Sequence, residues 1–360
     1  MFLVPGEVGG SEPLLTRLVS SMCDLDHELV IFATSGFSDA YPEIAERTRI
    51  VQVPWRSGAQ GLRIAAENSW LAWKARNLKL DVIHHGVGTT PFVKTVPSVV
   101  TIHDIQYLHY PENFVKLKRK WLQLNVPHSA RRCEVVCVVS NWVKDDIVRA
   151  FGIPSNKVAV VPFGSEGLFG GGPATAASMT SKYRLGRPFF LFPGRAYPHK
   201  NHRFLLEAYK PLAASADLVF TGPAWFRDRE IATAARGLGL SGKVRHLGIV
   251  SREDLGGLYR AATALVYPTR FEGFGLPLLE AMSVGCPVIA SNTTAIPEVV
   301  GDNGILLEPD DLEGWTETME KVLNDSALRA ELASRGQRRA ADFTWELAAH
   351  LQVAAYQQAL

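Results

Sequence analysis

Two α/β domains, each built on a doubly wound parallel sheet, are the fold this sequence predicts, and three observations predict it. Short apolar runs alternate with stretches of helical periodicity along the whole chain, the pattern of βαβ units. At 360 residues the chain has room for two domains of ordinary size. Glycine loops lead into helices in both halves, at Gly9-Gly10 and at Gly273 and Gly275, and such loops are where doubly wound sheets take their ligands.

Taken in order, Met1 to Val4 is expected to be the end of a first strand, with the natural start of the chain upstream. Gly9-Gly10-Ser11 then enters a helix. Ser11 can serve as its N-cap, Pro13 sits where a missing N–H costs nothing, and Leu14, Leu15, Leu18, Val19 and Met22 share one face. Strands are expected at 28–34, 50–53, 81–85, 98–103, 135–140 and 158–162, with a helix over 59–78. Phe114 to Leu124 carries Lys116, Lys118, Arg119 and Lys120 beside Phe114, Leu117, Trp121 and Leu124, so it forms a basic amphipathic helix. Its ordinary role is to lay one face on the domain. The alternative is a patch for an anionic lipid-linked acceptor or the membrane surface.

Residues 165–182, rich in Gly, Ala, Ser and Thr, have the composition of a flexible linker. Domains are therefore expected at 1–164 and 183–342. The second repeats the alternation, with strands at 189–192, 217–221, 244–248, 264–267, 287–291 and 305–307. Residues 343–360 make a last helix.

Composition narrows the function classes. A hydrophobic fraction of 47% supports well-formed cores, and 21% charged residues is ordinary for a soluble protein. The net charge of +2 creates no global field that would recruit nucleic acid. Cys23, Cys133, Cys137 and Cys286 have neither zinc-type spacing nor the arrangement of a disulfide framework, so buried thiols in a reducing cytoplasm are expected. No apolar run approaches the roughly 20 residues of a membrane span, and Met1 to Val4 has no basic leader of a secretory signal.

The most informative stretch runs from Tyr267 to Glu308. A buried strand over Ala264 to Tyr267 is ended by Pro268, which lacks a ladder donor. Gly273 and Gly275 let the following loop turn sharply and let another molecule come close. Leu276-Pro277-Leu278-Leu279-Glu280-Ala281-Met282 starts a helix with proline in its first turn, and Gly285 and Pro287 stop it before the next strand. The layout points backbone N–H groups and a positive helix end at the occupant of the loop, so an anion belongs there. Glu272 and Glu280, eight positions apart, would repel a phosphate and are better suited to neutral hydroxyls, as an acidic residue is to ribose in dinucleotide folds. Phosphate acceptors beside hydroxyl donors describe a nucleotide sugar.

This stretch resembles the retaining glycosyltransferases of family 4, the GT-B enzymes, in which two Rossmann-like domains enclose a ligand cleft. The likeness rests on Phe271-Glu272-Gly273-Phe274-Gly275-Leu276-Pro277, Leu279-Glu280-Ala281-Met282, Gly285-Cys286-Pro287-Val288 and Pro297-Glu298-Val299. It implies that Glu272, Gly273, Phe274, Gly275 and Leu276 face the donor sugar and that Glu280 holds the nucleotide ribose. Arg195 and Lys200 lie in Pro193-Gly194-Arg195-Ala196-Tyr197-Pro198-His199-Lys200-Asn201 and would be ordinary surface charges on their own. The resemblance makes them the clamp on the diphosphate. It likewise makes Gly9 and Gly10 donor contacts across the cleft, and carries the last helix back onto the first domain.

Histidines end two strands. His84 and His85 are most simply satisfied polar groups. His103, in Thr101-Ile102-His103-Asp104, matches a histidine that the family directs toward the donor sugar, so a supporting catalytic role is expected, with Asp104 orienting its ring. The chain departs from the family after Phe163, where an Asn-Gly-Val-Asp type of element is common and Gly164-Ser165-Glu166-Gly167 stands instead.

The expected reaction transfers a hexose from a nucleoside diphosphate sugar to a hydroxyl with retention. Arg195, Lys200 and the helix end at Gly275-Leu276 would stabilise the leaving diphosphate without a metal ion, and no other cofactor is expected. The run from His103 to His109 looks like mannosyltransferase-type members, which favours GDP-mannose, with a UDP-sugar as the alternative. Expected partners are this donor and a glycan, lipid-linked or small-molecule acceptor, with no nucleic acid. A cytoplasmic place in polysaccharide biosynthesis, with peripheral contact at the inner membrane face, fits them. A sugar-nucleotide epimerase of the same shape would use the same donor pocket without an acceptor, and a non-catalytic nucleotide-binding protein is a further alternative. A dinucleotide-dependent oxidoreductase is disfavoured because no Gly-x-Gly-x-x-Gly follows the first strand.

Overall fold

The computed structural model describes residues 11–54, 67–169, 175–223 and 228–360. The chain divides into two units, one of Met1–Gly164 with Thr344–Leu360 and one of Ser165–Phe343. Gly9, Gly10 and the strand expected over Met1 to Val4 lie outside the described residues.

In the first unit, β1 (Val30–Ala33) and β2 (Arg49–Gln52) pair in parallel. A four-stranded parallel sheet runs in the order β3 (Ile83–His85), β4 (Ser98–Thr101), β5 (Val135–Val138), β6 (Val158–Val160). Strands β4 and β5 are buried along their whole length, as parallel strands covered on both faces must be. Apart from β2, the strands of this unit are shorter than the apolar runs that announced them, because the ends of those runs leave the ladder for loops. Helices Ser11–Met22 and Trp345–Ala359 belong to this unit and meet through Met22, Ala349 and Val353. Gly164 allows the close approach of Trp345: a Cβ on it would come within 2.5 Å of the Trp345 backbone nitrogen. The part of the expected 59–78 helix that is described consists of a π turn, Glu67–Leu71, and an α-helix, Ala72–Asn77.

The basic helix is longer than its amphipathic pattern suggests and runs Lys116–Arg132, through Pro127. Val126, Ser129 and Ala130 are buried in its C-terminal half, whereas Leu117 and Leu124 stand in solvent. Of the expected face, Phe114 and Trp121 are half-buried, Phe114 against the Tyr107 ring, and the two leucines take no part in attaching the helix to the domain.

The second unit is a six-stranded parallel sheet of β7 (Phe189–Pro193), β8 (Asp217–Thr221), β9 (Val244–His246), β10 (Ala264–Tyr267), β11 (Val288–Ser291) and β12 (Ile305–Leu307). Their order is β12-β11-β10-β7-β8-β9. Strands thus run outward from β7 to one edge and from β10 to the other, and the order reverses between these two central strands. Trp315, fully buried against Phe204, closes one face and donates its indole N–H to the Glu308 carbonyl at 2.9 Å. Burying an aromatic of this size is worth about 4–6 kcal/mol before entropy is counted.

The segment 165–182 corrects the expectation of a free linker. Phe169 packs so closely on Gly256 that a Cβ there would meet its ring at 2.7 Å. Ala176–Lys182 is a helix capped by Thr175, and Lys182 and Tyr183 both donate to Asp254 Oδ2 at 2.6 Å. The glycine that admits Phe169 is Gly256, on helix Arg252–Ala261 outside the segment, so the composition of the segment gives no sign of this packing. The second unit also keeps Phe343, which meets Phe274 at 5.8 Å between ring centroids and whose carbonyl accepts from Ser165 N–H at 2.8 Å.

Candidate active site

Because β10 pairs with β7, the loops that follow them leave the same edge of the sheet side by side, at the point where strand order reverses and doubly wound sheets bind ligands. Backbone and side-chain bonds join the two loops: Arg270 N–H and the Thr269 hydroxyl both donate to the His199 carbonyl, at 2.7 and 3.2 Å. Asn201, at φ +59°, turns the first loop into helix His202–Tyr209. Lys200 is thereby placed with its Nζ 2.5 Å from Glu272 Oε1 and 2.6 Å from the Tyr267 hydroxyl, which itself donates to the same Oε1 at 3.0 Å. The Lys200 and Glu272 side chains are only 14% and 13% exposed, so their attraction is little screened. Burial first, and the Glu272 charge next, hold the Tyr267 hydroxyl protonated well above its ordinary pKa, and it stays a donor to the carboxylate. Thr294 Oγ1 accepts the Glu272 N–H at 3.1 Å and so fixes the backbone of the loop.

A second cluster of the same make-up surrounds Glu280. Its helix, Leu276–Ser283, starts from Gly275 at φ +90°, where a Cβ would also meet Leu278 Cδ1 at 2.7 Å; only glycine fits this turn. Glu280 is 3% exposed. Its Oε1 accepts from Arg252 Nη1 at 2.7 Å and its Oε2 from the Tyr259 hydroxyl at 3.0 Å. Arg252 also donates to the Leu168 carbonyl, from Nε at 3.1 Å and Nη2 at 2.9 Å. Each of the two carboxylates singled out in the sequence therefore has one cation and one tyrosine hydroxyl. With their charges compensated, the repulsion of a nearby phosphate is relieved.

Arg195 is exposed on the loop after β7. Gly273, Phe274 and Gly275 are buried and Leu276 is half-buried. Arg252, Tyr259 and Tyr267 are the residues that sequence reasoning missed. A signal existed: Arg252 and Tyr259 are seven apart, hence on one face of helix Arg252–Ala261, and Tyr267 ends a strand at its carboxyl end.

His199 and His202, 2% and 6% exposed, sit on either side of Lys200. Burial first and the Lys200 charge next hold both imidazoles neutral, with pKa lowered to about 3. The unfolded chain protonates each of them near pH 6.5, so below that pH it binds protons that the fold does not take up until about pH 3. Stability is therefore lost as the pH falls, by about 2.7 kcal/mol per unit for the pair. Denaturant midpoints at pH 7 and pH 5 are expected to differ accordingly, and equal midpoints would mean that the folded rings are charged.

His103 follows β4 in the first unit. Among the described residues neither of its buried ring nitrogens has a hydrogen-bond partner, and its ring lies 5.8 Å from that of Phe163. Burial lowers its pKa to about 4, with the Gly86 backbone pulling the other way from outside hydrogen-bond geometry. Asp104 does not orient this ring, a correction to the sequence expectation: its Oδ1 accepts the Gln106 N–H at 2.9 Å and stabilises the following turn. His84, by contrast, is satisfied on both sides, by the Tyr356 hydroxyl at 2.8 Å and Thr101 Oγ1 at 2.7 Å.

The comparisons with known proteins agree with this geometry. The family model described as Glycosyltransferase Family 4 matches residues 8–165, and that described as Glycosyl transferases group 1 matches residues 179–339. The chain is similar to the O-antigen chain mannosyltransferase B of Escherichia coli, 33% identical over 76% of this chain and 74% of the relative. It is similar to the O-antigen chain mannosyltransferase RfbU of Salmonella typhimurium, at 30% over 70% and 68%. Among solved structures it resembles Anabaena Alr3699/HepE in complex with UDP and glucose, with a TM-score of 0.76 at 20% identity over 100% and 98% of the two chains. It also resembles WaaG, a glycosyltransferase involved in lipopolysaccharide biosynthesis, with a TM-score of 0.72 at 19% identity over 98% and 96%. With these relatives, and with paired carboxylates and cations at the switch point of a doubly wound sheet, the chain belongs to the family 4 glycosyltransferases and has their GT-B fold, and it is a nucleotide-sugar-dependent transferase.

Proposed function

We propose that the protein is a retaining mannosyltransferase that moves mannose from GDP-mannose to a hydroxyl of a growing polysaccharide. The observation that carries this reading is the pair of cation–carboxylate–tyrosine clusters at the reversal of strand order, in a chain whose relatives are named as O-antigen mannosyltransferases. In this reading Glu280 takes the ribose hydroxyls, and Glu272 with Gly273, Phe274, Gly275 and Leu276 takes the sugar. Lys200 and Arg195 take the diphosphate and stabilise the charge that develops as it leaves, which is the work a divalent metal does elsewhere. His103, neutral and with open ring nitrogens, supports transfer by hydrogen bonding.

The test is incubation of the purified protein with GDP-mannose, UDP-glucose and their free diphosphates, with and without EDTA. GDP is expected to raise the melting midpoint by a few degrees at about 100 times its dissociation constant. Mannose transfer to a mannose-terminated oligosaccharide should survive EDTA and give the α-anomer by NMR. His103→Ala should keep the GDP shift and slow the transfer. A response to UDP alone would replace the donor, loss of transfer in EDTA would remove the metal-free clamp, and conversion of the donor without an acceptor would make the protein an epimerase.

A further inference from the structure

Behind His103 the first unit encloses a small polar cavity. Thr101 and Cys137 are register partners on β4 and β5, and the helix Trp345–Ala359 covers the face from which their side chains leave the sheet. Gln352 and Tyr356 stand one turn apart on that helix and so share a side of it. Tyr356 reaches His84 Nδ1 at 2.8 Å, and the other nitrogen of that ring meets Thr101 Oγ1 at 2.7 Å. Gln352, 1% exposed, donates from Nε2 to Cys137 Sγ at 3.4 Å, which leaves its Oε1 open among the described residues. The helix thus sets one polar side chain on His84 and the next beside His103, whose two buried ring nitrogens have no partner among the described residues.

Thr101, His103, Cys137 and Gln352 line one cavity of about 20 Å³, closed by apolar side chains that include Phe163 and Trp345. That is room for one water molecule and for little else. A buried water needs two to four polar partners, and this cavity supplies three: the Gln352 side-chain carbonyl, a ring nitrogen of His103 and the Thr101 hydroxyl. The direction of the bonds follows from the protonation states. Burial keeps the Tyr356 hydroxyl protonated and the His84 ring neutral, with the pKa of that ring lowered to about 3. Tyr356 therefore donates to Nδ1 of His84, the ring donates from Nε2 to Thr101, and the Thr101 hydrogen turns to the water. The water then gives one hydrogen to Gln352 Oε1 and the other to His103. Neutral His103 accepts on the side of the cavity and carries its own hydrogen on the opposite nitrogen.

We infer that Gln352 is a positioning residue for transfer: through one buried water it fixes His103 in a single tautomer, with the hydrogen on the nitrogen turned away from the cavity. The inference rests on the role proposed above for His103 and names the residue that acts behind it. The test is NMR of the full chain carrying isotopically labelled histidine, alongside transfer kinetics; the His103 signals are those absent from His103→Ala. One tautomer is expected in the native chain at pH 7. Gln352→Met keeps the length of the side chain and removes its acceptor. It should populate both tautomers and lower kcat about threefold to tenfold, the worth of one hydrogen bond, with KM for the donor unchanged. In the His103→Ala background the same substitution should cost nothing further, whereas damage to packing would add to the loss. The native chain alone supplies a second measurement, since its crystal structure is expected to show a water between His103 and Gln352. Mixed tautomers in the native chain, an unaltered tautomer in folded Gln352→Met, additive losses in the double variant, or no water between the two side chains would each overturn the inference. Normal transfer by His103→Ala would instead remove the role of His103, and a tautomer that still follows Gln352 would show the bridge itself intact.

Discussion

Lys200→Ala is expected to lower kcat by about two to three orders of magnitude, the range for removing one preorganised donor from a developing charge. Two effects act together. The diphosphate loses a cation, and Glu272, only 13% exposed, is left with the Tyr267 hydroxyl and no positive partner. An uncompensated carboxylate of this kind costs about 3 kcal/mol of stability and repels the donor. The two effects separate in Lys200→Met combined with Glu272→Gln, which removes the orphaned charge: the melting midpoint should recover while kcat stays low. Steady-state kinetics alongside thermal unfolding measures both. If kcat were unchanged in Lys200→Ala and only KM rose, the lysine would bind the donor and its transition state equally, and its role in transfer would be lost.

Glu280→Gln is expected to weaken binding of the nucleoside diphosphate by about tenfold to a hundredfold while changing kcat little. A hydroxyl bonded to a charged carboxylate is worth about 1.5–3 kcal/mol, which converts to that range. Gln keeps the size of the side chain and can still accept from Tyr259, so the fold is held. The pair with Arg252 is lost, but Arg252 is 42% exposed and keeps its two bonds to the Leu168 carbonyl, so little stability goes with it. Titration calorimetry with the diphosphate reads the effect. An unchanged dissociation constant would take the ribose away from Glu280.

Much of the fold was legible because its signals are short-range. Strands β8, β10 and β12 begin and end where they are expected to, at 217–221, 264–267 and 305–307. The run Phe271 to Leu276 announces a glycine loop and a helix start, and the structure has both, with the left-handed Gly275 between them. Composition was a poorer guide. It marks 165–182 as a linker, yet Phe169 and the helix Ala176–Lys182 are packed into the second unit through Gly256 and Asp254, partners outside the segment that leave no trace in its composition. Periodicity failed in a related way at Leu117 and Leu124: a regular apolar spacing shows which residues share a face, and not whether anything lies against it.

By itself the sequence determined the α/β alternation, the glycine loop and helix start after β10, the two glutamates and the family, all of which are written in residues within a turn or two of one another. Only the tertiary structure decided what those glutamates touch. Lys200 and Glu272 are 72 positions apart, and Arg252 and Glu280 are 28 apart. The first pair meets because β10 lies beside β7, a strand order that depends on how the whole sheet buries its faces. The second meets because two helices of that sheet pack side by side, with Arg252 and Tyr259 turned to one face. Propensity and spacing act along the chain, whereas the compensation of a buried charge depends on which elements become neighbours, and folding alone settles that.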